Sequence, residues 1–261
     1  MRVMSCNIRF ASSGNDRGPR QWVNRKDLCI NTILKRNPDI ICLQECHNDQ
    51  LADFIAEIGD RYDNYYGISY PGNYFPENVI FYRKGKFRSL GTGAWHLSEK
   101  PHVCGTKGWN SECVRFVNWV LLDGPFGRVR VINTHFDHAS QLAREKAAEM
   151  INEDMEVWGA DYPQILTGDL NCDPANKAIQ ILESAGWVDS MPEKDRFTLT
   201  CHEFQGYRGS FDFGICGQGR MDYVFTHGNL KARDGEIIYD AEGDMFPSDH
   251  YFVFADIDYV F

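Results

Sequence analysis

The stretch QILTGDLNCDP, residues 164 to 174, combines the two features that decide the fold of this chain. Its first half is an apolar run with the length of a buried β-strand. The run ends at Asp169 and Asn171, a carboxylate and an amide that flank one leucine. Because alternate residues of an extended chain share a side, we expect both polar groups to face the same way. Pro174 is expected to start the next helix.

The same pattern, in which a strand borders polar groups able to hold a metal or a phosphate, recurs along the chain. These residues are Asn7, Gln44, Glu45, His135, Asp137, His138, Asp169, Asn171, Asp222, Asp249 and His250. One Asn or Asp after a strand is usually a turn former or a helix cap. The residues fall at six strand borders, and six borders with compatible chemistry are harder to explain as ordinary turns. Loops at strand ends often carry function.

The carboxylates in this set suit metal-assisted chemistry. Glu45 and Asp249 are hard oxygen ligands of the kind that Mg²⁺ or Mn²⁺ prefers. Asp169 can orient and deprotonate a water molecule, while the amides of Asn7 and Asn171 can hold that water and a phosphoryl oxygen. The pattern predicts metal-assisted hydrolysis of a phosphate ester.

The imidazoles extend this hypothesis. His250 can hydrogen-bond a phosphoryl oxygen, and Asp222 is the natural carboxylate to hold that imidazole protonated and oriented. His135 is predicted to serve as a second imidazole near the leaving group, with Glu77 as its orienting carboxylate.

Composition restricts the class of protein. The chain has 261 residues, 43% hydrophobic and 25% charged, so we predict one domain over residues 1–261 with a large core. No window approaches the roughly 18 to 20 apolar residues of a membrane span, and MRVMSCNIRF lacks a signal-peptide run. Nine cysteines without metal or disulfide spacing indicate a reducing compartment, so we expect a cytoplasmic protein. We also expect a monomer. A net charge of −10 has the wrong sign for a general basic surface that binds long nucleic acid.

Strands outnumber helices in the predicted order and often follow one another directly. This order favours an α+β sandwich, with helices packed on sheets, over a doubly wound parallel sheet. Helices are predicted over 22–35, 49–58, 140–158 and 175–184. Strands are predicted over 2–8, 39–45, 164–169, 221–227, 230–240 and 251–261, with hairpins over 77–91 and 117–136 and an irregular region over 188–219.

The ordered motifs CNI, LQE, NTH, GDLN, MDYVF and SDH resemble those of the endonuclease/exonuclease/phosphatase superfamily, which has the DNase I-like fold. The resemblance implies a four-layer α/β/β/α sandwich of two mixed sheets flanked by helices, with the site at one sheet edge. It implies that Glu45 is the main metal ligand, that Asn7 and Asp249 lie beside the metal, and that Asp169 activates the attacking water. It also implies that the His250 and Asp222 pair stabilises the pentacovalent state and that His135 contacts the phosphate.

Some features indicate which branches of the superfamily this sequence resembles most. Arg9 stands where abasic-site repair members have an aspartate, and both Arg9 and the Glu77–His135 pairing resemble the pancreatic-DNase branch. TKGWNSECVRFVNW (106–119) and NTHFDH, with Arg144 soon after, are most similar to a bacterial group of uncharacterised members. The motifs therefore indicate the reaction better than the substrate.

Three functions are compatible with the sequence. The first is a divalent-metal-dependent phosphodiester hydrolase, a nuclease, in which Arg115 and Arg9 hold the phosphate. The second is a small-molecule phosphatase or phospholipase-like phosphoesterase on a sugar, inositol or lipid phosphate. The third is a catalytically inactive binding module. An acidic surface with a small basic mouth suits a short or single-stranded nucleic acid or a compact phosphorylated metabolite. Loop aromatics, among them Phe204, Tyr207, Phe211 and Phe213, either stack on a base or pack beneath the loop.

Overall fold

Two six-stranded β-sheets packed face to face form the centre of the computed structural model, which describes residues 1–11, 14–67, 75–159, 161–209 and 219–260. The first sheet has the strand order β11-β12-β1-β2-β4-β3 and the second has the order β5-β6-β7-β8-β10-β9. The strands are β1 (Arg2–Asn7), β2 (Ile40–Gln44), β3 (Tyr62–Tyr65), β4 (Ile80–Arg83), β5 (Arg88–His96), β6 (Phe116–Gly124), β7 (Gly127–His135), β8 (Gln164–Asp169), β9 (Val188–Asp189), β10 (Asp222–His227), β11 (Leu230–Ile238) and β12 (Phe252–Tyr259).

Helices cover the outer faces of both sheets. They are α1 (Trp22–Lys35), α2 (Asn48–Ile58), α3 (Gln141–Gly159) and α4 (Lys177–Ser184), with short 3₁₀ helices at Gly18–Arg20 and Glu193–Asp195. The predicted four-layer α+β sandwich is confirmed. None of these described helices combines the length and apolar character needed to cross a membrane.

The alternation of side chains along the central strands explains the layers. In β2, Ile40 and Cys42 enter the core between the two sheets, while Ile41 and Leu43 enter the core beneath α1 and α2. In β8, Ile165 faces the inter-sheet core and the next residue, Leu166, faces α3 and α4. Successive side chains of a strand point to opposite faces, so a strand buried on both faces reads as a continuous apolar run.

One predicted hairpin is wrong. The segment 77–91 turns at Lys84-Gly85, but β4 pairs with β2 and β3, while β5 pairs with β6 in the other sheet. The turn therefore carries the chain from one sheet to the other. The predicted hairpin over 117–136 is present, because β6 and β7 pair antiparallel from Val117–Thr134 to Gly124–Gly127.

Two local predictions near the quoted stretch also need correction. Helix α4 begins at Lys177 rather than at Pro174, because the Asn176 side chain accepts a hydrogen bond from the Ala178 N–H and caps the helix. Asn171 has φ +49°, so the chain has left the extended conformation, and strand alternation does not set the direction of its side chain.

A polar link joins the two sheets beneath one edge of the sandwich. Gln44 Nε2 donates to Asn133 Oδ1 at 2.7 Å, and Asn133 Nδ2 donates to the main-chain oxygen of Leu43 at 2.8 Å. Both side chains are fully buried. Buried polar groups of this kind are hydrogen-bonded because an unpaired one is costly, so the link favours one alignment of the sheets.

Candidate active site

Strand direction brings the predicted site residues to one edge of the sandwich. Strand β1 runs parallel to β2, and β7 runs parallel to β8, so the carboxyl ends of these pairs carry Asn7, Glu45, His135 and Asp169 to that edge. Strand β10 runs antiparallel to β8, and its first residue, Asp222, lies opposite Asp169. Asp249 and His250 lie shortly before β12, which is antiparallel to β1. The edge thus collects side chains from distant parts of the sequence.

Asp169 is the centre of the site. Its Oδ2 atom accepts a hydrogen bond from Asn7 Nδ2 at 2.8 Å and lies 3.4 Å from His135 Nε2 and 3.8 Å from His250 Nε2. Its Oδ1 atom accepts from the Asn171 main-chain N–H at 2.9 Å. One carboxylate oxygen thus faces an amide and two imidazoles.

The environment of Asp169 raises its pKa to about 7. Burial is the largest cause, because it disfavours the charged form, and the nearby Asp222 carboxylate acts in the same direction. The His250 imidazolium and the hydrogen bonds from Asn171 and Asn7 oppose the shift. A carboxylate whose pKa is raised in this way is characteristic of a functional site.

His250 and Asp222 form a buried ion pair. His250 Nδ1 lies 2.8 Å from Asp222 Oδ2, and Asp222 is fully buried. Burial alone would lower the pKa of His250, but the charges of Asp222 and Asp169 outweigh it and hold the pKa well above the ordinary value. The pair therefore presents a protonated Nε2 toward Asp169.

His135 has the opposite character. Burial, followed by the charges of Arg115 and His250, lowers its pKa well below the ordinary value, so the ring is neutral. Asn171 Nδ2 donates to His135 Nε2 at 2.9 Å, which assigns the ring proton to Nδ1. That Nδ1 is buried and has no hydrogen-bond partner among the described residues.

Glu77 lies in the same cleft, but its ion-pair partner is Arg115, with Glu77 Oε2 and Arg115 Nη1 3.9 Å apart. No hydrogen bond joins Glu77 to His135 in the described part of the chain, so the predicted orienting role of Glu77 rests on the resemblance alone. Burial raises the pKa of Glu77 to about 7, opposed by Arg115 and assisted by Glu45.

The donors around Glu45 fit a hard divalent cation. Ligand atoms of Glu45, His135 and Asp169 all lie within 4.8 Å of one another. Glu45 Oε1 accepts from Asn7 Nδ2 at 3.1 Å, and Oε2 accepts from the Phe10 N–H at 3.2 Å, which fixes the carboxylate in the cleft. The carboxylate oxygens of Glu45 and Asp169 are the ligands that Mg²⁺ and Mn²⁺ prefer, whereas an imidazole suits softer ions and His135 Nε2 already accepts from Asn171.

The other predicted metal neighbours face different partners. Asn7 directs its amide N–H groups toward Glu45 and Asp169, while its Oδ1 accepts from the Arg9 N–H at 3.0 Å. Asp249 Oδ2 lies 3.5 Å from Arg9 Nη1. Asn7 therefore borders the group formed by Glu45, His135 and Asp169, whereas the predicted ligand Asp249 pairs with Arg9 and is not part of that group among the described residues.

Some of the polar and basic residues noted in the sequence serve the backbone instead. Asp137 accepts hydrogen bonds from the N–H groups of Cys113, Ala139 and Ser140 at 2.8 to 3.1 Å. Arg144 donates to the main-chain oxygens of Asp137 and His138. These two side chains stabilise the turn before α3.

All of the described site residues except Asn7 and Asp222 line a single cleft of about 690 Å³. The sequence missed several further lining residues, which are Phe10, Asn15, Asp16, Cys113, Cys201, Glu203, Gln205 and Met221. Phe204 also lines the cleft, whereas Phe211 and Phe213 lie outside the described residues. The sequence had drawn attention to Phe204 of HEFQG (202–206), but not to its polar neighbours Glu203 and Gln205, which form a cluster with it in the chain.

The sandwich of two six-stranded sheets with a cleft at one edge defines the DNase I-like class of folds. A model of the Endonuclease/Exonuclease/phosphatase family matches residues 4–250, so the chain belongs to this family. Members of the family are phosphoester hydrolases, and the family predicted from the sequence is confirmed.

Two bacterial structures are similar over nearly the whole chain. One, from Bacteroides vulgatus, is described as an endonuclease/exonuclease/phosphatase; it is 25% identical, covers 99% of this chain and 98% of its own, and has a TM-score of 0.86. The other, from Bacteroides thetaiotaomicron, is described as a mannosyl-6-phosphatase; it is 26% identical, covers 99% of this chain and 100% of its own, and has a TM-score of 0.86. An uncharacterized protein of Acanthamoeba polyphaga mimivirus is 27% identical over 192 residues, which are 66% of this chain and 68% of that protein.

Proposed function

We propose that this protein is a divalent-metal-dependent phosphoesterase in which Asp169 activates the attacking water. The observation that carries the proposal is the environment of Asp169 Oδ2, which faces one amide and two imidazoles within 3.8 Å. General-base catalysis needs a carboxylate within hydrogen-bond reach of the water, with neighbours that hold the water and receive the phosphoryl group.

Each neighbour has a role that follows from its contacts. Asn171 orients Asp169 through its main-chain N–H, and its side chain holds the neutral His135. His250, kept protonated by Asp222, donates from Nε2 to the phosphoryl oxygen on which negative charge develops. Arg115 lines the cleft, with its Nη1 atom 3.9 Å from Glu77 Oε2, so its guanidinium can donate to another phosphoryl oxygen.

Glu45 is the residue we propose to hold the cation, with His135 and Asp169 beside it. A bound Mg²⁺ or Mn²⁺ would supply positive charge to a phosphoryl oxygen. Asn7 positions the carboxylates of Glu45 and Asp169, because its amide donates to both. Asp249 and Arg9 complete the charged border of the cleft.

The cleft favours a compact phosphomonoester as substrate. Its volume of about 690 Å³ is within the range of roughly 300 to 1,000 Å³ found for small-molecule sites. The net charge of −10 opposes the binding of a long polyanion. The similar Bacteroides thetaiotaomicron protein is described as a mannosyl-6-phosphatase, which also supports a monoester.

A nuclease, the first hypothesis from the sequence, is the second candidate. Phe10 and Phe204 line the cleft beside Arg9 and Arg20. Aromatic rings next to guanidinium groups are suited to stacking on the bases of a single strand.

A substrate panel with Mg²⁺, Mn²⁺ or a chelator tests the proposal. We expect metal-dependent phosphate release from monoesters, and Asp169→Asn should reduce kcat by on the order of 100-fold or more. Asp161→Asn, at an exposed position, is the matched control. Full activity of Asp169→Asn would refute the assigned base, and cleavage of single-stranded DNA or RNA without phosphate release from monoesters would support the nuclease.

A further inference from the structure

Strained backbone identifies a second functional element of the cleft. Among the described residues, nine non-glycine residues have positive φ, and six of them line the cleft. These six are Arg9, Glu45, Glu77, Asn171, Glu203 and Phe204. Such conformations are costly for residues with a side chain and concentrate at functional sites. Four of the six already belong to the predicted site, whereas Glu203 and Phe204 belong to a segment that the sequence left irregular.

The segment 202–205, which we name the 202–205 turn, is anchored next to the catalytic imidazole. The main-chain N–H groups of His202 and Glu203 both donate to the main-chain oxygen of Asp249, at 2.8 and 3.1 Å. The His202 ring is fully buried and stacks on Tyr251 with ring centroids 4.0 Å apart. Because Asp249 directly precedes His250, the turn and the phosphoryl-binding imidazole hold fixed positions relative to each other.

Phe204 is held in place by two arginines, Arg25 beneath the cleft and Arg20 in its lining. The guanidinium carbon of Arg25 lies 5.6 Å from the centre of the Phe204 ring, and that of Arg20 lies 5.7 Å away. Arg25 is fully buried and donates to the main-chain oxygens of Ile8, Arg9 and Pro247, so it is rigid. The ring is therefore an ordered apolar surface in the wall of the cleft.

The polar groups of the turn suit hydroxyl donors. Glu203 and Gln205, the residues before and after Phe204 in the chain, also line the cleft, and both are exposed. A carboxylate is an acceptor-only group when ionised, so it accepts hydrogen bonds from hydroxyls and repels a second phosphate. An aromatic ring in the same wall of the cleft as this carboxylate can cover the C–H face of a polyhydroxylated molecule.

We propose that the 202–205 turn recognises a polyhydroxylated leaving group, with Glu203 accepting hydroxyl hydrogen bonds and Phe204 packing against the carbon skeleton. The proposal rests on the phosphoesterase function above and specifies its substrate class as the phosphomonoester of a sugar, an inositol or glycerol. Glu203 and Phe204 are binding residues in this reaction, and the turn disfavours nucleic acid because its carboxylate would face the adjacent phosphates.

Kinetics on paired substrates test the proposal. Glucose 6-phosphate, inositol monophosphate and glycerol phosphate are compared with p-nitrophenyl phosphate, whose leaving group presents no row of hydroxyls. The measured quantity is kcat/KM for the preferred polyol ester divided by kcat/KM for p-nitrophenyl phosphate. We expect Glu203→Gln to lower this ratio by about tenfold, because the substitution weakens a hydrogen bond to a charged group. Phe204→Ala should lower the same ratio and Phe204→Tyr should restore it. Glu242→Gln, at an exposed position outside the cleft, should leave the ratio at the wild-type value.

Calorimetry separates this proposal from the proposed reaction. Binding of the three polyol phosphates and of inorganic phosphate is measured on Asp169→Asn, with and without Glu203→Gln. If a polyol phosphate binds more tightly than inorganic phosphate and Glu203→Gln removes this difference, the proposed role of the 202–205 turn is supported. This holds even if no catalysis is detected. An unchanged kcat/KM ratio, or equal affinity for polyol phosphates and inorganic phosphate, overturns it. Wild-type inactivity on every phosphoester with Mg²⁺ or Mn²⁺ overturns the proposed function instead.

Discussion

At the scale of single residues, the His250–Asp222 pair is the clearest test of catalysis. Asp222 is fully buried and bonds the ring nitrogen of His250 that faces away from Asp169. We expect Asp222→Asn to reduce kcat by on the order of 100-fold, because the imidazole loses the charge that keeps it protonated and oriented. Steady-state kinetics with Mg²⁺ measure the loss, and Asp161→Asn serves as the control. A kcat within twofold of wild type would show that the pair has no catalytic role.

Gly168 gives a residue-scale prediction about stability. A Cβ atom at this position would lie 2.4 Å from the main-chain oxygen of Thr134 on the neighbouring strand. We expect Gly168→Ala to reduce the free energy of unfolding by about 1 to 3 kcal/mol, since β7 and β8 must separate to accept the methyl group. Urea denaturation measures the change. Gly14→Ala, where nothing lies within 4 Å of the new Cβ, should cost much less.

At the scale of elements, the turn before α3 depends on the charge of Asp137. Burial acts to raise the pKa of this carboxyl, but hydrogen bonds from Cys113, Ser140 and Ala139 outweigh it and hold the pKa below the usual range. A carboxyl with a lowered folded-state pKa stabilises the fold above its unfolded pKa of about 3.9, and this stability is lost as the pH falls through the folded-state value.

We therefore expect Asp137→Asn to cost about 1 to 2 kcal/mol of unfolding free energy at pH 7. The difference from wild type should stay constant down to about pH 5 and shrink below about pH 4, as the wild-type carboxyl becomes protonated. Urea midpoints across this pH range measure it. An equal difference at pH 7 and pH 3 would show that charge is not the cause.

The sequence predicted the elements better than their pairing. Residues 22–35 matched α1 because apolar spacing and the stop at Asn37-Pro38 are local signals. The segment 77–91 was predicted as a hairpin because its sequence pattern is two strands joined by a turn at Lys84-Gly85. This pattern is the same whether the two strands pair with each other or enter different sheets. Edge strand β3 was missed because YDNY has no buried run, with Tyr62 its one buried residue.

The candidate site was predictable where it lies at strand ends, and less so elsewhere. Asn7, Glu45, His135 and Asp169 meet because parallel strand pairs end at one edge, which strand order implies. Glu203 and Phe204 reach the cleft through left-handed backbone and a hydrogen bond to Asp249, and neither is encoded in local residue patterns.

At the scale of the whole molecule, cation binding should stabilise the fold. A ligand that binds the native state at about 100 times its Kd adds about 2.7 kcal/mol of stability. For a chain of this size we expect Mg²⁺ to raise the Tm by about 5 °C or more. Glu45→Gln should abolish most of this shift in a thermal melt, whereas Glu242→Gln should retain it. An equal shift in both variants would place the cation elsewhere.

The Gln44–Asn133 link limits which core substitutions the candidate site can tolerate. Asn7 and Glu45 arrive from the first sheet, whereas His135, Asp169 and Asp222 arrive from the second, so no single sheet contains the site. Asn7 Nδ2 and Asp169 Oδ2 are 2.8 Å apart, so a small sliding movement of one sheet over the other would break this hydrogen bond. The same movement would expose little apolar surface. Core substitutions that shift this alignment should therefore impair turnover while the protein still melts as a folded chain, which makes the inter-sheet registry a determinant of catalysis as well as of stability.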